Sequence, residues 1–189
     1  MVKNFGIVAA VLLCFGILDT KLSYADGSAL LQSCKGCHSP GMEVGGPSLV
    51  GQPENYLYFQ LRRYQKGRRV QPKMKTLLNG ASDTSLRNLA RYFAALNPCD
   101  YEKTEVEALN GNIDRGRVKS FSCEDCHSYA GMNSPKLEGQ HTRYLVQELS
   151  KFRTAQRPSD VMVPVALQLS EQDIADLAAY YNSVDTCGK

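Results

Sequence analysis

The stretch SCKGCHSPGM (residues 33–42) recurs as SCEDCHSYAGM (residues 122–132), so the chain carries the pattern Cys-x-x-Cys-His twice. Cysteines three positions apart lie on one helical turn, where their sulfurs can form thioethers with the two vinyl groups of a haem. The histidine that follows can present a ring nitrogen to the iron. The sequence therefore predicts two covalently bound haem c groups, with thioether cysteines Cys34, Cys37, Cys123 and Cys126 and axial ligands His38 and His127.

Other uses of paired cysteines fit the sequence less well. A thioredoxin-type redox pair belongs to a βαβ unit, which no segment of this chain predicts. A zinc site needs four ligands close together, whereas each motif offers two cysteines and one histidine.

The repeat extends far beyond the two motifs. PSLVGQPENYLYFQL (residues 47–61) matches PKLEGQHTRYLVQEL (residues 135–149) at an offset of 88, and Met74 and Met162 match at the same offset. Residues 97–112 are acidic and end in glycine and asparagine, which is typical of a linker. We therefore predict a first domain over residues 26–100, a linker over 101–112 and a second domain over 113–189.

Residues 1–25 have the layout of a secretory signal peptide: Lys3, an apolar run over residues 5–18, and the small residues SYA at 23–25. The alternative is an uncleaved N-terminal anchor, although the run is short for a membrane span. The rest of the chain has the composition of a globular protein, with 43% hydrophobic and 22% charged residues. A formal net charge of +3 gives no indication of nucleic-acid binding.

Both copies are predicted to be helical, and no segment alternates as a strand would, so the expected fold class is all-α. Ser82 and Ser170 occupy N-cap positions, and Gly67 is expected to end a helix. Copies of about 75 residues are small for independent cores, so we expect the haem to fill each one. The apolar positions with helical spacing are Leu86, Leu89, Ala90, Phe93 and Leu96 in the first copy and Ile174, Leu177, Ala178, Tyr181 and Val184 in the second.

A second axial ligand must reach each iron from the opposite face, and Met74 and Met162 lie in proline-flanked loops at matched positions. Histidine–methionine ligation raises the reduction potential of c-type cytochromes. Met42 and Met132 are alternative candidates for this ligand, but each follows its motif histidine closely in the sequence. A chain segment that short can barely reach the opposite face of the haem, so packing is their expected role.

Four further features concern the surroundings of these sites. The carbonyls of Pro47 and Pro135 could accept a hydrogen bond from the histidine rings, or the prolines could simply form turns. His141 is expected to start a helix rather than bind iron.

Cys99 and Cys187 could join the halves, link two molecules or stay reduced. A basic run over residues 62–75 either docks an acidic partner or is a solvated surface; its members are Arg62, Arg63, Lys66, Arg68, Arg69, Lys73 and Lys75.

The doubled CxxCH motifs, each followed by a PxLxGQ segment, a Tyr-Leu pair and a loop methionine, resemble the cytochrome c4 family. The resemblance implies two class I cytochrome c domains related by pseudo-two-fold symmetry. It further implies a periplasmic protein, peripherally associated with the membrane, that carries electrons from a respiratory donor to a terminal oxidase or a similar acceptor. The expected partners are redox proteins, a membrane-bound oxidase or a quinol-oxidising complex, and the protein itself is expected to be a monomer. The alternatives are the electron-transfer subunit of a periplasmic dehydrogenase and a dihaem peroxidase, which would need an open iron. No catalytic residue is predicted.

Overall fold

The computed structural model describes residues 19–38, 46–101, 109–128 and 133–187. These residues form helices and turns without any strand, so the predicted all-α class is confirmed for this part of the chain. A short 3₁₀ turn, Pro98–Asp100, follows α4. The helices are α1 (Asp19–His38), α2 (Glu54–Gln65), α3 (Pro72–Leu77), α4 (Asp83–Ala94), α5 (Ile113–His127), α6 (Thr142–Arg153), α7 (Met162–Leu167) and α8 (Glu171–Ser183).

The helix boundaries repeat because the boundary signals repeat. The first residues of α2 and α6, and of α4 and α8, match at the offset that relates the two sequence copies. The Ser82 side chain caps α4 and the Ser170 side chain caps α8, in the second case as a full capping box with Asp173. Gly67, with φ of 68°, follows the end of α2 as predicted.

Each half has its own small apolar core. In the first half α2 packs against α4, and in the second half α8 packs against both α5 and α6. The apolar positions predicted within α4 and α8 are buried, whereas Leu96 and Val184 lie past the helix ends and are only partly buried. The first core includes Cys34, Leu57, Leu89 and Phe93, and the second includes Leu145, Leu177, Ala178 and Tyr181.

The crossing of α5 and α8 depends on a glycine. A Cβ atom on Gly116 would lie 2.1 Å from the backbone oxygen of Asp176, so the two helices approach too closely for any side chain. The fully buried Asp176 carboxylate accepts hydrogen bonds from Arg115 at 2.6 and 3.0 Å and from the Asn112 backbone N–H at 2.7 Å. These contacts fix the helix that carries the second Cys-x-x-Cys-His motif.

Gly116→Ala is therefore expected to lower the free energy of unfolding by about 2–3 kcal/mol, because the added methyl group meets backbone rather than a movable side chain. Urea unfolding would measure the change. Gly36→Ala is the matched control within α1, since its Cβ would meet no atom within 4 Å. Equal stability of the two variants would contradict the prediction.

The two halves contact each other through reciprocal glutamine side chains. Gln52 donates to the carbonyl of Lys136 at 2.8 Å and accepts from its N–H at 3.0 Å. Gln140 does the same with Ser48, at 2.9 and 2.8 Å. Residues 52 and 140 are repeat equivalents, as are residues 48 and 136. The interface therefore maps onto itself under a two-fold rotation, as the predicted pseudo-symmetry requires.

A disulfide bond also joins the halves. Cys99 in the 3₁₀ turn bonds to Cys187 after α8, with their Cα atoms 5.3 Å apart. The side chains of Asn97 and Asp185 accept hydrogen bonds from the backbone N–H groups of Cys99 and Cys187, respectively. The disulfide is therefore intramolecular and joins repeat-equivalent positions, which settles the alternatives left open by the sequence.

Some sequence predictions fall outside the described residues. These are the apolar run at 5–18, Met42, Met132 and the centre of the linker at 102–108. Helix α1 begins at Asp19, within the predicted signal peptide. The end of the signal peptide and the limits of the two domains stay predictions. Among the helices that the structure describes, none combines the length and apolar character needed to cross a membrane.

Candidate functional site

A cavity of about 790 Å³ lies between the halves and connects the two predicted sites. Its wall includes His38 and Met74 from the first half and His127 and Met162 from the second. These four residues, which are far apart in the sequence, therefore border one cavity. Apolar side chains make up much of the remaining wall, among them Leu57, Leu61, Leu78, Leu89, Phe93, Leu145 and Phe152.

The first site is built on the C-terminal end of α1, where Cys34, Cys37 and His38 all border the cavity. His38 Nδ1 lies 2.9 Å from the carbonyl oxygen of Pro47, so the predicted carbonyl contact is confirmed. Since Nδ1 must carry the proton to make this bond, Nε2 keeps its lone pair. Burial also lowers the pKa of His38, which keeps the ring neutral. A neutral imidazole held in this way is suited to bind a metal.

Backbone packs directly against the face of this imidazole. A Cβ atom on Gly46 would lie 2.1 Å from His38 Cε1, and the Gly46 N–H donates to the Cys37 carbonyl at 2.7 Å. Any larger residue at position 46 would displace the ring. Burial raises the pKa of Cys34 to about 11, in keeping with its place in the apolar wall.

Met74 reaches the cavity from α3. The Gln71 side chain caps this short helix by accepting a hydrogen bond from the Met74 backbone N–H at 3.0 Å, so Met74 lies in a helix rather than in the predicted loop. An imidazole nitrogen and a thioether sulfur in an apolar cavity are the donor set of a histidine–methionine haem. The residues of the first site therefore fit the predicted cofactor.

The second site repeats this arrangement with differences. His127 ends α5, and its Nδ1 lies 2.7 Å from the Pro135 carbonyl oxygen, which confirms the second proline contact. Met162 begins α7, where its N–H donates to Ser159 Oγ at 3.1 Å. Cys123 packs against the second core, much as its counterpart Cys34 belongs to the first, and Cys126 is exposed. The structure thus brings His127 and Met162 to the cavity but places both cysteines of this half outside its described wall.

A ring of four polar side chains, called here the Arg–Glu ring, spans the interface beside the cavity. Arg69 donates to Gln60 at 2.9 Å and to Glu148 at 3.0 Å. Arg157 donates to the same two residues, at 3.1 and 2.8 Å. Arg69 and Arg157 are repeat equivalents, as are Gln60 and Glu148. The ring therefore surrounds the pseudo-two-fold axis, with a carboxylate on one side and an amide on the other.

The Arg–Glu ring corrects the prediction for the basic run. Arg69 is buried rather than part of a docking surface, because Glu148 and the Tyr144 hydroxyl bind its guanidinium. Burial by itself would raise the pKa of Glu148, but the charges of Arg69, Lys151 and Arg157 lower it overall. Sequence reasoning missed this pairing, although arginine at both matched positions was the available signal. The exposed basic residues that remain in the run are Lys66, Arg68, Lys73 and Lys75.

His141 is the N-cap residue of α6, as predicted for a helix start. It is half-buried and borders the same cavity as His38, a position that its sequence context did not indicate. Burial lowers the pKa of His141, while its contact with the Gly46 backbone acts in the opposite direction.

Comparison with known proteins agrees with this architecture. Cytochrome c4 of Pseudomonas aeruginosa is 30% identical, covering 92% of this chain and 96% of its own length. A thiosulfate dehydrogenase electron acceptor of Stutzerimonas stutzeri is 29% identical, covering 94% of this chain and 92% of its own length. The crystal structure of reduced recombinant cytochrome c4 from Pseudomonas stutzeri matches with a TM-score of 0.68 at 27% identity, over 86% of this chain and 98% of that one.

The chain matches no family model. The whole-length relatives and the solved structure nevertheless agree with one another and with the two linked helical halves described above. The chain therefore belongs to the cytochrome c4 family, whose members are dihaem c-type cytochromes that transfer electrons.

Proposed function

We propose that this protein is a periplasmic dihaem electron carrier. Cys34 and Cys37 would hold the first haem c and Cys123 and Cys126 the second. His38 with Met74 and His127 with Met162 would be the axial ligands. The observation that carries the proposal is the matched pair of histidines, each held through Nδ1 by a proline carbonyl and each bordering the cavity that also receives a methionine.

The residues of the chain determine how such a site would behave. The haem iron, when bound, supplies a one-electron change between its ferrous and ferric states. The Pro47 and Pro135 carbonyls orient the imidazoles and the apolar wall excludes water, while the thioether sulfurs of Met74 and Met162 would provide the second ligand to each iron. With two protein ligands, each iron would have no open position for a substrate. These features favour an electron carrier over a peroxidase.

The partners in this proposal are redox proteins of a respiratory chain: a quinol-oxidising complex as donor and a membrane-bound oxidase as acceptor. Lys66, Arg68, Lys73 and Lys75 form an exposed basic surface on the first half that would attract an acidic partner. The signal peptide at residues 1–25 would export the chain to the periplasm, where it would act as a monomer and associate peripherally with the membrane.

A second candidate role is electron acceptor for a dehydrogenase. It is supported by the Stutzerimonas stutzeri relative, a thiosulfate dehydrogenase electron acceptor that aligns over nearly the whole chain. In this role the same two sites would operate, and only the electron donor would change. Rapid reduction of the purified protein by a thiosulfate dehydrogenase would favour it over the quinol-linked role.

The test of the proposed ligands is the near-infrared band that methionine ligation gives to ferric haem, measured per protein chain in the exported protein and calibrated against total haem. We expect the intensity of two methionine-ligated haems in the wild type and half of it in Met74→Leu and in Met162→Leu. The controls Met42→Leu and Met132→Leu should keep the full intensity. A wild-type intensity equal to one methionine-ligated haem or none would contradict the proposal and reopen catalysis at an exposed iron.

A further inference from the structure

The two predicted methionine ligands lie in segments, called here the first and second loops, that include helices α3 and α7. These segments differ in chemistry at matched positions. Residues 73–79 read KMKTLLN in the first half, and residues 161–167 read VMVPVAL in the second. Lys73 is thus replaced by Val161, and Asn79 by Leu167. The second loop carries no charged residue and the first carries two lysines.

Several apolar side chains of the second loop are exposed to solvent. Ala166 is fully buried and anchors α7, whereas Val161, Val165 and Leu167 are 64%, 42% and 63% exposed. Pro164 is exposed as well. We call these four residues, Val161, Pro164, Val165 and Leu167, the second-loop surface. Apolar groups that the fold leaves in water indicate a binding surface when they adjoin a functional site, and Met162 lies within this segment.

The charges beside this surface largely offset each other. Asp160 precedes it, and Arg63 of the first half lies beside Val161, with its guanidinium donating to the Pro158 carbonyl at 2.7 Å. The corresponding part of the first half exposes Val70 and, at the edge of the cavity, Leu77, with Lys73 and Lys75 between them in the sequence. An acidic partner would therefore be attracted to the first half and not to the second.

We propose that the second-loop surface docks a membrane-bound redox protein whose own docking face is uncharged and apolar. This proposal rests on the proposed function, because it assigns a partner to the second electron-transfer site. Four side chains are too few for a stable dimer interface but suit the small, transient contacts of electron-transfer proteins. The two halves would then recognise chemically different partners, one by charge and the other by apolar contact.

The test uses the exported, haem-loaded protein and washed membranes of the source bacterium at 10 and 300 mM NaCl. Val161→Lys/Leu167→Lys places two charges on the second-loop surface. Val118→Lys/Phe121→Lys is the matched control, because these α5 residues are similarly exposed, at 62% and 60%. Cosedimentation with the membranes measures binding, and stopped-flow absorbance measures the rate of electron exchange.

At 300 mM NaCl, where charge attraction is screened, the loop variant is expected to lose about tenfold in both binding and rate. The control should stay within twofold of the wild type. Equal behaviour of the two variants, or a wild type that neither binds nor exchanges electrons at this salt concentration, would overturn the proposal. Binding of the wild type to phosphatidylcholine vesicles that is lost in the loop variant would also overturn it, in favour of a lipid surface. The near-infrared band separates the two proposals. If the loop variant keeps the band but docks as the wild type does, the docking proposal fails while the proposed function stands.

Discussion

Replacing Cys99 and Cys187 together by serine is expected to lower the free energy of unfolding by about 4–5 kcal/mol. The disulfide joins residues separated by 88 positions, and the chain-entropy relation assigns a stabilisation of this size to a loop of that length. It also joins the two halves at the ends of equivalent helices. The variant should therefore lose rigidity between the halves as well as stability.

Urea unfolding, followed by circular dichroism, would measure the stability change in the ferrous protein. Both cysteines are exposed, so a phosphine reductant should reach the disulfide in the wild type and reproduce the effect of the double serine variant. The same reductant should leave the serine variant unchanged. A difference below about 1 kcal/mol between wild type and variant would mean that the non-covalent interface alone holds the halves together.

Glu148→Gln is expected to lower the free energy of unfolding by about 3–5 kcal/mol, the usual cost of removing one partner from a buried ion pair. Arg69 and Arg157 have side chains that are only 6% and 11% exposed, and Glu148 is the carboxylate that binds both. Its loss would leave two buried guanidinium groups facing amide oxygens. Urea unfolding of the haem-loaded protein would measure the change.

The pseudo-symmetry of the Arg–Glu ring supplies an unusually close control for this variant. In Gln60→Glu/Glu148→Gln the carboxylate moves to the other side of the axis, where Gln60 already accepts from both arginines, and most of the lost stability should return. A double variant as unstable as Glu148→Gln alone would contradict the assigned role of the ring.

The Arg–Glu ring also predicts a pH dependence. The folded protein lowers the pKa of Glu148 below its ordinary value of 4.5, so this contribution to stability is complete above that value. It should be lost progressively as the pH falls from about 4.5 through the lowered pKa. The slope of stability against pH in this range should be smaller in Glu148→Gln than in the wild type.

Sequence reasoning succeeded where the determining interactions are local. The caps at Ser82 and Ser170, the turn at Gly67 and the buried positions of α4 and α8 depend on residues within a few positions of one another. The proline–histidine contacts were also predictable, because the partners lie only nine and eight positions apart in the sequence. Because the sequence is repeated, each of these local signals occurs twice.

The contacts between the halves were not predictable from either copy alone. The run containing Arg69 looked like a surface patch because nothing near it in sequence is acidic, yet its partner Glu148 lies in the other half. The same holds for Gln52 and Gln140, whose partners are backbone groups across the interface. Such pairings depend on how two folded units are placed, and helical periodicity carries no information about that placement.

The reciprocal contacts of Gln52 and Gln140 have a consequence for the origin of the chain. An interface in which equivalent residues exchange equivalent contacts is isologous, the form that a symmetric homodimer of one half would use. Fusing two such subunits makes their association intramolecular and therefore independent of protein concentration. It also releases the two copies from the requirement to remain identical. Lysine in one methionine loop and valine in the other is a difference that no homodimer encoded by a single gene could carry.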